Sequence, residues 1–273
     1  MSRLTLTLRE PPAQRLDLSP LTPDRLKDVG AAELAAIELA SGNRRIHVGD
    51  LFAINAGDPS DILIRASSAK LDFVGRDMAA GAIAVEGDVG AYLGQGLRGG
   101  RVSAAGSAGP WAAAGMSGGV IEISGNAGDF LGGALPGDMR GMSGGLVIVR
   151  GNAGERAGDR QRRGIILVEG DVGAYAGSRM IAGTLLAFGG SVGPYAGFAM
   201  KRGTLLFRQS PSRLLPTFID CGRHELGFLR LLWRALRESG RPLPKLETLG
   251  LQVHRLAGDQ AVDGKGEILV WQT

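Results

Sequence analysis

A chain of 273 residues, 44% of them apolar, is long enough to bury a large core. Its 45 glycines indicate many tight turns, and because they alternate with apolar runs and follow no three-residue period, they exclude collagen and disordered low-complexity sequence. The net charge of +4 comes without a dense basic block interleaved with aromatic residues, which argues against a nucleic-acid partner.

Residues 1–41 are predicted to form an N-terminal strand and a short helical cap. The opening MSRLTLTLREPP alternates apolar and polar residues and lacks the apolar core of a signal peptide. A short helix is predicted between Pro23 and Leu39. No apolar run approaches the roughly 20 residues of a membrane helix. The single cysteine, Cys221, which we expect to be buried, cannot form an internal disulfide. The sequence therefore predicts a cytoplasmic protein without membrane contact.

Residues 42–210 carry a repeat of about nineteen residues. Each unit opens with a glycine and continues with five residues of alternating apolar character and a G-x-x-G turn. Intervals of 19, 19, 26, 19, 19 and 20 residues separate the opening glycines, which are Gly81, Gly100, Gly119, Gly145, Gly164, Gly183 and Gly203. Counting back in nineteens reaches Ile62 and Asn43, where similar segments lack the glycine, as terminal repeats often do. The predicted fold class is mainly β: a single parallel β-solenoid (β-helix) of about nine coils with a period near 19.

The residues two and four places after each opening glycine, called positions two and four, are uniformly apolar. They are Ile83/Val85, Val102/Ala104, Ile121/Ile123, Val147/Val149, Ile166/Val168, Leu185/Ala187 and Leu205/Phe207. A period of two with one apolar set indicates a strand with one buried face. Strands stacked roughly 4.8 Å apart would give a continuous parallel sheet.

Two further series recur with the repeat and are predicted to fill the core. The aromatic series is Tyr92, Trp111, Phe130, Tyr175 and Tyr195. The methionine series, three residues before the opening glycine, is Met78, Met116, Met142, Met180 and Met200. Both are expected to stack along corners between successive repeats.

The opposite face of the strands, at position three, changes character along the chain. Early repeats carry Ala84, Ser103 and Glu122, whereas the later repeats carry the aliphatics Ile148, Leu167, Leu186 and Leu206. Exposed aliphatics in a row need a cover. These four residues are therefore predicted to form an interface, covered either by another subunit or by the chain's own last segment.

The 26-residue interval contains seven extra residues, which predict a loop near residues 132–141. The repeat that follows contains five arginines against Glu155 and Asp159, and they are Arg150, Arg156, Arg160, Arg162 and Arg163. Arginine binds carboxylates in a bidentate way. This cluster is predicted to be a surface that binds an anionic partner, or else a solvated corner offset by carboxylates of a neighbouring subunit.

Residues 211–273 are predicted to form a C-terminal helix and strand cap. Residues 224–236, HELGFLRLLWRAL, place leucines and Trp233 at helical spacing and predict an amphipathic helix. Strands are predicted from Leu249 to Leu256 and from Glu267 to Trp271, around the turn at GDQAVDGKG.

No catalytic or metal-binding residues are predicted. GQGLRG at residues 94–99 lacks the helix and the acidic residue of a dinucleotide site, and GDQAVDGKG has the wrong spacing for a phosphate loop. His47, His224 and His254 stand in no metal-ligand motif. We expect surface or capping roles for all three.

Particular motifs give the chain a family resemblance. The frame of Gly87, Gly90 and Gly94 is similar to the glycine-repeat β-helix domain of glutamate synthase. GDLF at residues 49–52, GMSGG at 115–119 and 141–145, and the ending GKGEILVW resemble the C subunit of the formylmethanofuran dehydrogenase family.

That resemblance implies a structural subunit without active-site residues of its own, assembled with amidohydrolase-like, pterin-enzyme-like and formyltransferase subunits. Among bacterial relatives it implies a formyltransferase/hydrolase complex of one-carbon metabolism, which passes a formyl group from tetrahydromethanopterin to a methanofuran-like carrier and releases formate. It implies that this chain binds no cofactor, although the complex uses a carrier with a glutamate tail that the arginine cluster could hold.

Three alternatives remain at this level. The chain could belong to a redox-active formylmethanofuran dehydrogenase, or it could be a glutamate synthase-like domain bracing an amidotransferase. A solenoid acyltransferase is disfavoured, because such solenoids repeat in sixes and supply a catalytic histidine.

Overall fold

The computed structural model describes residues 2–238 and 250–271. The strands of the described chain are β1 Arg3–Leu8, β2 Leu16–Asp17, β3 Glu38–Ser41, β4 Arg44–His47, β5 Phe52–Asn55, β6 Asp58–Arg65, β7 Leu71–Asp72, β8 Ala82–Val85, β9 Arg101–Ala104, β10 Val120–Ile123, β11 Ser143–Val149, β12 Arg163–Val168, β13 Thr184–Ala187, β14 Thr204–Phe207, β15 Ile219–Glu225, β16 Gln252–Gly258 and β17 Gly266–Trp271. The helices are α1 Pro23–Leu26, α2 Ala31–Ala36, α3 Val48–Leu51 and α4 Phe228–Glu238, and a 3₁₀ turn spans Gln260–Val262. The chain is therefore mainly β.

Most strands belong to one large, mostly parallel sheet. Its thirteen strands follow the order β15-β16-β17-β14-β13-β12-β11-β10-β9-β8-β6-β1-β5. Every neighbouring pair from β17 to β1 is parallel, whereas β5 at one end and β16 and β15 at the other pair antiparallel. The repeat supplies strand β6 and the seven strands from β8 through β14. Segments from the two ends of the chain flank this run.

The repeats align in register, and the predicted inward face is confirmed. Position two forms a continuous row, in which Ile121 pairs with Val102 on one side and with Val147 on the other. All residues at positions two and four are at most 2% exposed. Opening glycines meet the preceding repeat closely: Gly119 has φ +82°, and a Cβ there would lie 2.8 Å from the carbonyl oxygen of Gly100. Tight stacking therefore requires glycine at this turn.

A second parallel ladder and two side-chain series repeat with the strands. Single parallel bridges connect Val89, Ala108, Ala127, Ala153, Val172 and Val192 in succession. The five methionines are fully buried, as predicted, and Gln161 occupies the same buried place in its repeat. Aromatic rings of neighbouring repeats stack, with centroids 5.7 Å apart for Tyr92–Trp111 and 5.0 Å for Trp111–Phe130. The five aromatic side chains are only half-buried, so the prediction that this series fills the core is wrong. Each repeat therefore adds equivalent contacts along the stacking direction.

The predicted start of the repeat is wrong in two ways. The segment at Asn43 is no repeat, because β4 pairs antiparallel with β3 in a separate four-stranded sheet of order β4-β3-β2-β7. β1 lies instead beside β6. Ile62 pairs with Ile83, so it stands at position two of its repeat rather than at the opening position.

The N-terminal region and Cys221 also differ from expectation. The single helix predicted between Pro23 and Leu39 is divided into α1 and α2, with Gly30 preceding α2, and β3 already begins at Glu38. Cys221 is exposed rather than buried, because it lies on β15, the last strand of the large sheet. In the described residues, no helix is long and apolar enough to cross a membrane.

The C-terminal helix begins later than predicted. His224 and Glu225 belong to β15 and pair with β16, so α4 begins at Phe228. The strand predicted at Leu249–Leu256 is β16, which begins at Gln252, and Leu249 lies outside the described residues. Strand β17 pairs in parallel with β14 and antiparallel with β16, so the C-terminal segment joins the large sheet directly.

The later repeats are covered by the chain itself. Ile148, Leu167, Leu186 and Leu206 are each 0% exposed. They share a second hydrophobic cluster with the α4 residues Leu229, Trp233 and Leu236 and with residues of β16 and β17. The prediction that another subunit covers these four side chains is therefore wrong. The alternative prediction, that the chain's own last segment covers them, is confirmed.

Candidate functional site around the inserted loop

The seven extra residues form a loop without helix or strand between β10 and β11. The loop leaves the stack after Phe130, where the amide of Gly133 donates to the Phe130 carbonyl at 2.8 Å. It returns at Gly141, whose amide donates to the Arg160 carbonyl of the next repeat at 3.0 Å. The side chain of Met139 is 68% exposed. The predicted loop is thus confirmed, and it lies against the repeat that carries the arginine cluster.

The five arginines of the predicted cluster lie in separate environments. Arg150 forms ion pairs with residues of neighbouring repeats. It follows β11 and forms ion pairs with Glu122, at 3.0 Å, and with Glu169. Burial lowers the pKa of Arg150, but the hydrogen bonds and charges of the two glutamates outweigh this effect and raise the pKa above its ordinary value. This arginine therefore joins three successive repeats and offers no free charge to a ligand.

Arg156 takes the place of a ring in the aromatic series. Its guanidinium carbon lies 4.7 Å from the ring centroid of Tyr175 and 5.9 Å from that of Phe130. Its φ of 56° falls in the same left-handed region as those of its aromatic equivalents. A planar guanidinium stacks on aromatic faces, so Arg156 continues the stack through a repeat that has no ring.

An ion pair between a buried aspartate and a partly exposed arginine anchors the corner next to Arg160. Asp159 is 1% exposed and accepts hydrogen bonds from Ser178 at 2.5 Å and from Arg179 at 2.9 and 2.6 Å. Sequence reasoning missed Arg179, although it stands nineteen places after Arg160 and so occupies the equivalent position in the next repeat. With both oxygens engaged, Asp159 is a structural carboxylate.

A cavity of about 330 Å³ lies between the loop, the ring stack and this corner. The residues around it include Trp111, Phe130, Leu135, Met139, Arg160 and Arg179. An Nη1 atom of Arg160 lies 3.1 Å from the sulfur of Met139, and among the described residues no carboxylate lies within ion-pair distance of Arg160. The indole nitrogen of Trp111 is buried without a hydrogen-bond partner.

Arg162 and Arg163 lie on the other side of the loop's return point. Together with Arg140 of the loop they border a groove of about 410 Å³, whose floor includes Gly141 and Ser143. We call this feature the basic groove. All three arginines are exposed, and in the described part of the chain none of them forms an ion pair. Three uncompensated guanidiniums at one place favour an anion with several charges.

The histidines lie in separate local contacts. His47 stands near Glu38 and Asp50, His254 pairs with Asp220 at 2.8 Å, and His224 contacts the Cys221 carbonyl at 3.0 Å. Within residues 2–238 and 250–271, no three side chains of the histidine, cysteine, aspartate and glutamate types come together as metal ligands.

The fold and the site together define a mainly β protein of stacked glycine-rich repeats. An inserted loop lies at one corner of the stack, next to several arginines. The chain matches no model of a protein family. It is 46% identical, over 97% of its length and 98% of the relative's, to the C subunit of the formyltransferase/hydrolase complex Fhc of Methylorubrum extorquens. The chain belongs to the family formed by the C subunits of formyltransferase/hydrolase complexes.

A solved structure and an archaeal relative extend the comparison. In the crystal structure of the formyltransferase/hydrolase complex FhcABCD from Methylorubrum extorquens with methylofuran, one chain is 40% identical, with a TM-score of 0.89 and coverage of 98% of this chain and 100% of that one. The C subunit of tungsten-containing formylmethanofuran dehydrogenase 2 of Methanothermobacter thermautotrophicus is 36% identical over 34% of this chain and 36% of its own length.

Proposed function

We propose that this chain is the non-catalytic C subunit of a formyltransferase/hydrolase complex. The complex would pass a formyl group from tetrahydromethanopterin to a methanofuran-like carrier and release it as formate. The observation that carries the proposal is similarity along nearly the whole chain to the C subunit of such a complex, together with a TM-score of 0.89 to a chain of a complex that contains methylofuran.

The uses of the buried carboxylates support a structural role. Asp72 pairs with Arg15 and accepts from the amide of Ala91, and Asp259 accepts from the amides of Ala199 and Ala261. Asp159 is held by Ser178 and Arg179. These carboxylates brace the fold, and acid–base catalysis needs a group that is free to exchange a proton with substrate.

The repeats themselves support a rigid scaffold, which we propose to be a β-solenoid. Each unit from the one that opens at Gly81 to the one that opens at Gly183 adds a strand to the large sheet, a bridge to the second ladder and a buried side chain in the methionine position. Because each unit makes equivalent contacts with its neighbours, the length of the stack is set by the number of units. Such a stack can hold amidohydrolase-like, pterin-enzyme-like and formyltransferase subunits at fixed distances from one another.

A redox-active formylmethanofuran dehydrogenase is the second candidate for the parent complex. Similarity to the archaeal relatives favours it, but that similarity covers 34% of this chain, against 97% for the hydrolytic relative. The extent of the match therefore favours the hydrolytic complex.

Assembly with the other subunits tests the function. We expect the purified chain to show no formyltransferase, formyl hydrolase or dehydrogenase activity, because its buried acids are engaged internally. Co-expression with the genes that neighbour it should yield a stable complex with formyltransferase and hydrolase activity in the presence of a methanofuran-like carrier. Turnover by the isolated chain, or a complex that reduces an electron acceptor with formylated carrier, would contradict the proposal.

We further propose that the basic groove holds the acidic tail of the carrier. Arg140, Arg162 and Arg163 are free, exposed and close to one another, whereas Arg150 and Arg156 of the original cluster are engaged elsewhere. Several weak guanidinium–carboxylate contacts retain a flexible polyanion while allowing it to move. The groove thus suits a tail better than a tightly bound head group.

Replacing Arg140, Arg162 and Arg163 together with serine should leave assembly intact and reduce the amount of carrier that co-purifies with the complex. In the parent complex, the loss of carrier should grow with salt, because exposed charge pairs are screened. In the variant, the loss of carrier should be nearly complete, because the three guanidiniums are gone. Carrier content is measured after gel filtration at low and high salt. Arg208→Ser, an exposed arginine outside the groove, is the matched control. Equal retention in the variant and the control would rule out tail binding here.

A further inference from the structure

The cations of the basic groove continue in both directions along the same corner of the stack. Two places before each opening glycine from Gly100 to Gly203, the backbone amide donates to a carbonyl of the preceding repeat, at 2.7–2.8 Å. Because each donor makes the same bond to the repeat before it, the donor residues lie in one row along the stacking direction. They are Arg98, Ser117, Ser143, Arg162, Ile181 and Lys201.

Cations stand at both ends of this row and within it. Arg98, Arg162 and Lys201 are exposed, and the exposed Arg163 and Arg202 directly follow two of them. The row runs from the repeat of β9 to the repeat of β14. Its length is about 24 Å at the usual spacing of strands in a sheet.

The inserted loop supplies a cation where the row itself has serines. Between Arg98 and Arg162, Arg140 of the loop borders the basic groove together with Ser143. Arg101 at the start of β9 adds an exposed charge at the first end. We call the whole set the basic row, and it consists of Arg98, Arg101, Arg140, Arg162, Arg163, Lys201 and Arg202.

The charge of the basic row is not compensated by carboxylates of the protein. In the part of the chain that the structure describes, none of its cations forms an ion pair. Lys201 donates to the Val262 carbonyl at 2.5 Å, a contact that leaves the charge in place. The one acidic residue among 95–101, 114–120, 140–146, 159–165, 178–184 and 198–204 is Asp159, which is buried and paired with Arg179. The corner therefore carries a run of positive charge.

Exposed carboxylates stand at the two ends of the basic row. Asp24 accepts at 2.6 Å from the amide of Ala79, which lies nineteen places before Arg98 and so one repeat earlier. At the other end, Asp263 directly follows Val262. An anion gains free energy along the row and is repelled at these two places. The favourable region for an anion is therefore long and narrow.

The surface of the row suits a chain of carboxylates better than a folded protein. Besides its three arginines, the described residues that border the central groove are Gly115, Gly141 and Ser143, without an aromatic or aliphatic side chain. Folded partners bind chiefly through buried anchors of that kind. A carboxylate needs no such anchor, because it accepts from a guanidinium in a fork. An extended polypeptide covers about 24 Å with about seven residues.

On the basis of the proposed role of the basic groove, we infer that the groove is the centre of a longer site, the basic row, which binds an extended chain of carboxylates and favours chains of about seven or more residues. Carboxylates beyond those held in the groove reach the cations at one end of the row or at the other. The row thereby selects carriers by the length of their acidic tail.

Oligoglutamates of two, four, six, eight and ten residues, titrated into the full-length chain in a calorimeter at low salt, test the length of the site. We expect the dissociation constant to fall with each added pair of residues up to the octamer, and to change less than about twofold from octamer to decamer. Added salt should weaken the octamer more than the dimer, because every charge pair is screened. An octamer of glutamine, which has the same length without the charge, should not bind.

Variants at the two ends separate the row from the groove. One variant combines Arg98→Ser with Arg101→Ser, and the other combines Lys201→Ser with Arg202→Ser. Serine fits this corner, since Ser143 stands in the same row. Each double variant should weaken the octamer about fivefold and the tetramer less than about twofold, because the tetramer still fits in the groove.

The outcomes distinguish the longer site from tail binding in the groove. Equal affinity of tetramer and octamer for the parent chain overturns the longer site, and so does equal octamer affinity in the end variants and in the control Arg208→Ser. Tail binding survives either result, because it depends on Arg140, Arg162 and Arg163. Absence of binding for every oligoglutamate, or equal binding of the glutamine octamer, overturns both.

Discussion

Replacing Ile123 with aspartate should abolish soluble expression of the full chain. Ile123 is 0% exposed and occupies position four of β10, in the middle of the parallel run. No basic side chain shares its row, where the flanking partners are Ala104 and Val149. An unpaired carboxylate there costs several kcal/mol, against a total stability of about 5–15 kcal/mol for an ordinary domain.

The measurement is the soluble fraction after expression, followed by circular dichroism of any protein recovered. Ile123→Val is the matched control, because it keeps the strand propensity and removes a single methylene at a cost of about 0.5–1.5 kcal/mol. A soluble, cooperatively folding Ile123→Asp protein would show that the inward register of the repeats is wrong.

The second large effect is expected at the C-terminal cover, where Trp233→Ala should expose the outer face of the later repeats. Trp233 is 5% exposed and packs against Trp271 with ring centroids 5.6 Å apart. Removing a buried tryptophan side chain costs about 3–5 kcal/mol. Because Leu186 and Leu206 lie in the same cluster, the variant should bind a hydrophobic dye and aggregate, whereas the parent chain should do neither.

Helix α4 supplies its own control. Leu231 is 70% exposed on the same helix, so Leu231→Ala should leave the midpoint of thermal unfolding and dye binding almost unchanged. Trp233→Phe should lower the unfolding temperature less than Trp233→Ala, because phenylalanine keeps an aromatic ring at this place. The indole nitrogen of Trp233 has no hydrogen-bond partner, so its removal costs no hydrogen bond. If Trp233→Ala and Leu231→Ala unfold at the same temperature, α4 is not the cover of the sheet.

The sequence predicts the strand faces well because burial imposes them residue by residue. An apolar alternation such as that of Ile121 and Ile123 has one physical cause, a strand with one buried face. The same property explains the error at Ile62: a shift of two residues keeps every side chain on its own face, so the alternation cannot detect it. The neighbours of a strand in the sheet are harder to predict, because β4 alternates like a repeat strand yet pairs with β3.

The candidate site was predicted only in part, because proximity along the chain is a poor guide to position in a stacked repeat. Arg150, Arg156 and Arg160 are close in sequence but lie at the end of β11, in the ring stack and at the cavity. Alignment at nineteen residues would have placed Arg156 beside Tyr175 and Arg160 beside Arg179. The buried indole nitrogen of Trp111 has no sequence signal, since it depends on how the inserted loop packs.

The pairing of β14 with β17 has a consequence for how the protein is made. Their hydrogen-bonded side chains, Thr204 and Glu267, are 63 residues apart in the chain. Earlier repeats can stack on one another as they emerge from the ribosome, since each pairs with its immediate predecessor. The aliphatic face of the later repeats, however, must wait for α4, β16 and β17 to be synthesised. Nascent chains therefore pass through an interval in which this face is bare, when chaperones have a surface to recognise.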